Sequence, residues 1–511
     1  MLFNTWIFIA VFFPLVYIIY NILLGYGRDH ANAFLVIASI LFYSYWNVSY
    51  TLIFIPSILI NYWVGSRILD FNTEKHLKYK KYMLFAGIGF NLSLIAYFKY
   101  VNFIILNLNI LIGVDYTKTS VILPLAISFY TFQQIAFLVD AYRADSIKVR
   151  FLDYALFVSF FPQLIAGPIV HHKEMISQFS RNKINKYDFQ NISIGTSIFL
   201  IGLFKKIMIA DNMAPFVNGV YGAAESGQVV PFFEAWGSTI AYSIQIYYDF
   251  SGYSDMAIGL AFILGYKIPL NFYSPYKAIN IISFWRRWHI TLSRFLRDYL
   301  YIPLGGNING EGRKYYNLMV TMMIGGLWHG AGYNFIIWGL LHGSYLVVNQ
   351  LWLKMTIHTK IIIPVIVSRL ITLTSVLFAW VYFRAESLSG ANKIVRSMIG
   401  LNGIEYPSQL SSYTNISLIF SDNFIIDIAQ WAYGVPFILT VLIATYIFPN
   451  TYELMKRNDP VLKNDLIPND NSYSLPIYWK PNLTWVIVLS ACAALSFMSM
   501  NRVSEFLYFQ F

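Results

Sequence analysis

The chemistry open to this chain rests on two histidines, a run of arginines and a pair of aspartates. His329 stands in MIGGLWHGAGYNFIIWGLLHG, an apolar, glycine-rich run with no Asp, Glu, Lys or Arg between Tyr315 and Trp352. Just ahead of it, FWRRWHITLSRFLRDYLYIPLGG supplies His289 with Arg286, Arg287, Arg294 and Arg297. A third cluster, YSIQIYYDFSGYSDMAIG, holds Asp249 and Asp255 inside an otherwise apolar stretch. An ionisable side chain at membrane depth is costly, which makes it a functional candidate by default. Neutral imidazole near pH 7 can take the proton of a hydroxyl. A guanidinium fork can hold two phosphate oxygens at once. Each aspartate needs a cation or a backbone N–H beside it.

The elements that position these groups follow from the local pattern. Gly325, Gly326, Gly330, Gly332, Gly339 and Gly343 crowd the sequence around His329. Non-helical backbone at membrane depth survives only where it is buried in protein or lines a cavity. A glycine-interrupted apolar segment is therefore a pointer to a site, with Trp328 and His329 at the interruption. The alternative is a tight helix crossing around a core histidine bonded to a carbonyl. From Phe284 to Asp298, at 100° per residue, the four arginines share an arc of about 100°, with the aromatic and aliphatic residues opposite and His289 at the boundary. That pattern predicts an amphipathic helix lying in the interface or dipping into a polar cavity, its arginines meeting phosphates or Asp249 and Asp255. Anchoring at the membrane surface is the plainer alternative. Gln133, Gln134, Asp140, Gln163, Pro168 and His171 are weaker signals, read as polar residues that pack helices together.

These groups sit in a strongly apolar chain. Of 511 residues, 57% are hydrophobic and 12% charged, and mean hydropathy is +0.54. Soluble domains run at about 45–50% apolar and about 25% charged, so this is an all-α polytopic membrane protein. Apolar segments of spanning length fall near 3–25, 32–48, 50–68, 82–111, 121–141, 151–170, 192–210, 232–265, 316–349, 361–383, 431–448 and 482–499. No repeat interrupts them, and a single transmembrane domain over 1–511 is expected, with its core motifs in 232–349. The first segment, lacking a basic n-region and a small-residue cleavage site, reads as a retained helix.

The net charge of +11 comes from lysines and arginines in short loops, as positive-inside topology requires, and does not point to nucleic acid. Residues 1–27 carry no Lys or Arg, while the loops Asp70–Lys81 and Tyr142–Arg150 are basic. Both loops are expected in the cytoplasm and the N-terminus outside. Cys492 is the only cysteine, and neither HExxH nor a ligand-like histidine spacing occurs. No disulfide, thiol nucleophile, metal site or resident cofactor is expected.

The blocks PLAISFYTFQQIAFLVDAYR, FFPQLIAGPIV, GLFKKIMIADN, QIYYDFSGYSDMAIG, SFWRRWHITLSRFLRDYLYIPLGGN, GGLWHGAGYNFIIWGLLHG, WVYFRA and FLYFQF occur in this order along nearly the whole chain. Together they resemble the membrane-bound O-acyltransferase family, most closely its bacterial branch that O-acetylates polysaccharides such as alginate and peptidoglycan. The resemblance implies a ring of transmembrane helices around a thin centre, entered by funnels from both faces. His329 would lie where the funnels meet, and His289 would be a second family-marked polar residue. It also implies a reaction: acetyl transfer from a cytoplasmic thioester, acetyl-CoA, toward an extracytoplasmic polysaccharide. A periplasmic or surface SGNH-type esterase/transferase would be the partner, in a bacterial inner membrane. Amides freed around Gly330–Gly332 are candidate oxyanion donors. The alternatives are a transporter or channel with a buried His/Asp proton relay, and a family member that acylates lipid or protein or transfers D-alanine.

Overall fold

The computed structural model describes residues 1–70, 76–117, 119, 121–143, 148–165, 167–180, 186–361, 363–404, 434–462, 474–500 and 507. Among these residues regular structure is helical, apart from one isolated bridge between Pro269 and Leu462. Helices α1 (Phe13–Leu24) and α2 (Arg28–Ser44) form a hairpin that turns at Gly27, whose φ of +136° suits glycine. Helix α3 (Thr51–Asp70) precedes α4 (Leu77–Ile95), which runs through a π-helical turn, Ala96–Tyr100, into α5 (Val101–Ile112). Gly113, left-handed at φ +71°, closes α5 by donating to Asn109 O. Helix α6 (Ile127–Tyr142) packs on α3 and α4.

Residues 151–170 do not form the single span their composition suggests. Pro162 and Gly167 break them into α7 (Phe151–Ser159) and α8 (Phe161–Leu164), followed by α9 (His172–Phe179). The chain then runs through α10 (Phe189–Phe204), a π-helical turn, Lys205–Ala210, and α11 (Asp211–Glu225). It returns as the 32-residue α12 (Phe232–Ile263), about 48 Å long and thus longer than a bilayer core is thick. Two short helices follow, α13 (Ile281–Trp285) and α14 (Ile290–Leu296). The run 316–349 is a hairpin of α15 (Gly310–His329) and α16 (Tyr333–Thr359), not one span. The described chain closes with α17 (Val365–Arg384), α18 (Leu388–Met398), α19 (Gly434–Ile447), α20 (Thr451–Met455) and α21 (Leu483–Ser499).

Among the described residues four helical stretches are long and apolar enough to cross a membrane, or five if the bent pair α19 and α20 counts as one span; Phe8–Leu24 and Leu483–Ser499 are shorter apolar helices. This is fewer than the apolar segments of the sequence, because several are broken or carry polar groups that the protein itself buries. The described parts of the two basic loops meet where Lys148 Nζ lies 3.0 Å from Asp70 Oδ1. Residues 71–75 and 144–147 of those loops fall outside the described set.

Helices α10 and α12 pack backbone against backbone, and glycine makes it possible. A Cβ on Gly202 would stand 2.5 Å from Gly252 O and 2.8 Å from Met256 N; one on Gly195 would stand 2.6 Å from Gly259 O. Within lipid, helices gain little from burying apolar surface against each other, so small residues that let backbones touch drive association. Gly202→Leu is expected to lower the thermal stability of the purified protein by about 1–3 kcal/mol or more, as overpacking does. Gly219→Ala, with nothing within 4 Å of its Cβ, is the control. Equal melting temperatures for Gly202→Leu and the parent would refute the close-packing role.

Candidate active site

His329 is the last residue of α15, and Gly330 leaves the helix with extended backbone at φ −161°. The break is set by contact with α16. A side chain on Gly330 would overlap the Phe335 ring, and one on Gly326 would overlap Phe335 O. The imidazole is buried among Trp328, Trp338 and Phe383, with ring centroids at 4.8, 5.1 and 5.0 Å. Of the three amides in the break, that of Gly332 is already spent on Gly330 O at 3.1 Å, so the expected set of oxyanion donors is smaller by one.

His289 arrives by a different device. The predicted helix 284–298 is not continuous: α13 stops at Trp285, and α14 starts after His289, which adopts left-handed backbone at φ +42° and ψ +54°. For a non-glycine residue that conformation costs roughly 1–3 kcal/mol and persists only where neighbours over-determine it. Here Asn271 does so. Its Oδ1 lies 3.0 Å from His289 Nδ1 and 3.0 Å from Thr291 Oγ1, while its carbonyl accepts from Ile290 N at 3.0 Å. The Thr291 hydroxyl itself accepts from Ile169 N, so it donates to Asn271. With Oδ1 as the shared acceptor, the network assigns the His289 proton to Nδ1 and leaves Nε2 as the basic nitrogen.

The two histidines line one cavity of about 20 Å³, with Asp249, Phe250, Trp288 and Trp380 in its wall. That is room for about one water. The Trp328 indole touches both imidazoles, with centroids 6.3 Å from His289 and 4.8 Å from His329. A cavity of about 270 Å³ lies against Trp328 as well, lined by Tyr50, Ser128, Phe129 and Lys99. A third, of about 580 Å³, is lined by Arg297, Tyr301, Lys314 and Gln350. A buried pair of imidazoles on one cavity, with a larger cavity against Trp328, suits proton transfer at a hydroxyl.

The membrane-bound O-acyltransferase family model matches residues 40–388. The chain belongs to that family. It is 42% identical to the peptidoglycan O-acetyltransferase of Helicobacter pylori, over 100% of this chain and 98% of that protein. It is 34% identical to the "probable alginate O-acetylase AlgI" of Pseudomonas putida, over 100% of both. A weaker similarity, 26% over 45% of this chain and 57% of the relative, links it to the teichoic acid D-alanyltransferase of Streptococcus thermophilus. As a membrane-bound O-acyltransferase this protein is an enzyme, which displaces the transporter reading.

In this acyltransferase the aspartates are paired, though not with arginines. Asp249 meets Lys206 Nζ at 2.5 Å and accepts from Leu507 N at 3.1 Å; Asp255 meets Lys205 Nζ at 2.7 Å and Thr451 Oγ1 at 2.6 Å. Both lysines come from the π turn after α10, which the α10–α12 glycine contacts press against α12. The arginines diverge because the helix is broken. Arg287 is buried and donates to Tyr273 O at 3.1 Å, Arg294 pairs with Glu174 at 2.6 Å, Arg297 pairs with its neighbour Asp298 at 2.7 Å, and Arg286 is exposed. Surface anchoring therefore does not describe the four as a group. His342 accepts from Trp285 Nε1 at 3.3 Å and so ties α13 to α16.

Sequence reasoning missed Asn271, Lys206, Leu507 and Lys99. Lys99 had the clearest signal: it is the one Asp, Glu, Lys, Arg or His between Lys81 and Asp115. Lys206 with Asp249 carries a stability test. Breaking one side of a buried pair costs about 3–5 kcal/mol, whereas removing both charges costs far less. Lys206→Met is expected to lose folded protein, and Lys206→Met with Asp249→Asn to recover part of it, since the half-buried Asp211, 2.7 Å from Lys206 Nζ, keeps its charge; the readout is melting temperature in detergent. Additive losses in the double variant would argue against the pairing.

Proposed function

We propose that this enzyme transfers an acetyl group from cytoplasmic acetyl-CoA toward a hydroxyl on the extracytoplasmic side, for O-acetylation of an alginate-like exopolysaccharide or peptidoglycan. The observation that carries the reading is the placement of His329 and His289 on one small cavity at the helix break. His329 takes the proton of the acceptor hydroxyl as its oxygen attacks the thioester carbonyl. The C–S bond breaks, the C–O ester bond forms, and the thiolate leaves and is protonated. His289, held by Asn271, orients the donor or the hydroxyl. The cavity with Arg297 and Lys314 is the candidate site for the coenzyme's phosphates, and an SGNH-type periplasmic or surface transferase is the expected next carrier. The full-length similarity to two proteins named for O-acetylation favours acetyl over D-alanyl, whose named relative is matched over less than half of this chain.

His329→Ala is expected to cut acetyl transfer by roughly 10²–10⁴-fold, the usual worth of a positioned base, with the amount of folded protein unchanged. His289→Ala is expected to reduce transfer less. Acetylation assayed per folded molecule decides: near-parental specific activity in His329→Ala would sink the assignment.

The enzyme sits in the bacterial inner membrane with the N-terminus outside and the basic loops in the cytoplasm, as the excess of Lys and Arg in those loops favours. With Cys492 replaced, a cysteine introduced in 70–81 is expected to resist an impermeant thiol reagent in intact cells. Labelling from outside would reverse the topology.

A further inference from the structure

We infer that Lys99 is a positioning residue for the acyl transfer, holding the end of the helix that carries His329. The inference rests on His329 as the base. Lys99 Nζ donates to the carbonyl of Trp328 at 2.6 Å and to that of His329 at 2.8 Å. Tyr100 Oη donates to the carbonyl before them, Leu327 O, at 2.6 Å. Three successive carbonyls at the end of α15 are thus taken by two neighbouring side chains from the π turn between α4 and α5. The last four carbonyls of a helix have no partner within it, and away from water each must find one.

The charge balance has the same origin. Among the described residues no carboxylate lies within 4.0 Å of Lys99. Its acceptors are the negative end of the α15 dipole, which favours a cation there. A lysine at this depth is costly unless it has such a partner, so the ammonium and the helix end stabilise each other. The geometry makes the contact specific to the site. Fixing the Trp328 and His329 carbonyls fixes the backbone from which both rings project. Trp328 walls the 270 Å³ cavity that Lys99 also lines, and the Lys99 ammonium sits 5.9 Å from the Trp328 ring centroid. His329 faces the small cavity beyond. π turns concentrate at functional sites, and this one lets adjacent residues 99 and 100 reach the same helix end.

The test uses the full-length enzyme in membranes or detergent, with acetyl-CoA as donor. Displacing a catalytic group by about 1 Å can cost roughly 10²-fold, so Lys99→Met is expected to lower kcat by about 10–100-fold with KM for the donor within about twofold. The quantity of folded protein should stay near the parent's. Tyr100→Phe, which removes one of the three bonds without changing charge or volume much, is expected to lower kcat in the same direction by less; it carries the test if Lys99→Met does not fold. In a His329→Ala background, Lys99→Met is expected to bring no further loss, because there is no base left to position. Unchanged kcat in the folded variant would overturn the inference, as would a loss of equal factor in both backgrounds, or a loss that tracks only the amount of folded protein. His329→Ala with normal activity would instead remove the base reading on which this one rests, and the two failures are read from different variants.

Discussion

Every polar group held away from water in this enzyme needs a partner from the protein, and most of the architecture around the site answers that requirement. The hydrocarbon offers no hydrogen bonds, so an unpaired carbonyl, amide or charge at that depth is a large penalty. The solutions differ by place. Asp249 and Asp255 each receive a lysine from one π turn. The end of α15 receives Lys99 and Tyr100. The left-handed turn at His289 is held by an asparagine amide. In each case the partner comes from a distant part of the chain, which links elements that hydrophobic contact alone would let slide.

Glycine is the second half of that solution. At the α10–α12 crossing it brings two backbones into contact and so presses the lysine-bearing π turn onto the aspartates. At the α15–α16 turn it also ends a helix, so that an imidazole projects from its last residue into an aromatic cage. The same residue type thus brings both helix pairs into close contact, and at Gly330 it also lets the chain leave the helix.

The two histidines reach their cavity from unrelated elements, and each has its own support. His329 depends on a helix end fixed through its carbonyls; His289 depends on a strained turn fixed through its ring. Trp328 lies between them and against both. This division explains why a change at any of three separate places, α4–α5, Asn271 or the α16 face, would be felt in one cavity.

Much of this was legible in the linear pattern. Composition placed the chain in a membrane, the glycine cluster marked the break at His329, and the ordered motif blocks pointed to the acyltransferase family that the comparisons bear out. Other readings failed for a definite reason. A helical wheel over 284–298 assumes unbroken helix and puts four arginines on one face. The turn at His289 breaks that periodicity, and a contact with Asn271, 18 residues earlier, stabilises it. Partner identity was equally hidden: Lys99 and His329 are 230 positions apart, and Asp249 and Lys206 meet only because α10 lies on α12. Sequence by itself determined which residues are too costly to leave alone at membrane depth, since that cost belongs to the side chain. Only the tertiary structure decided what each one is paired with, because the pairs form across helices whose crossings no local periodicity encodes.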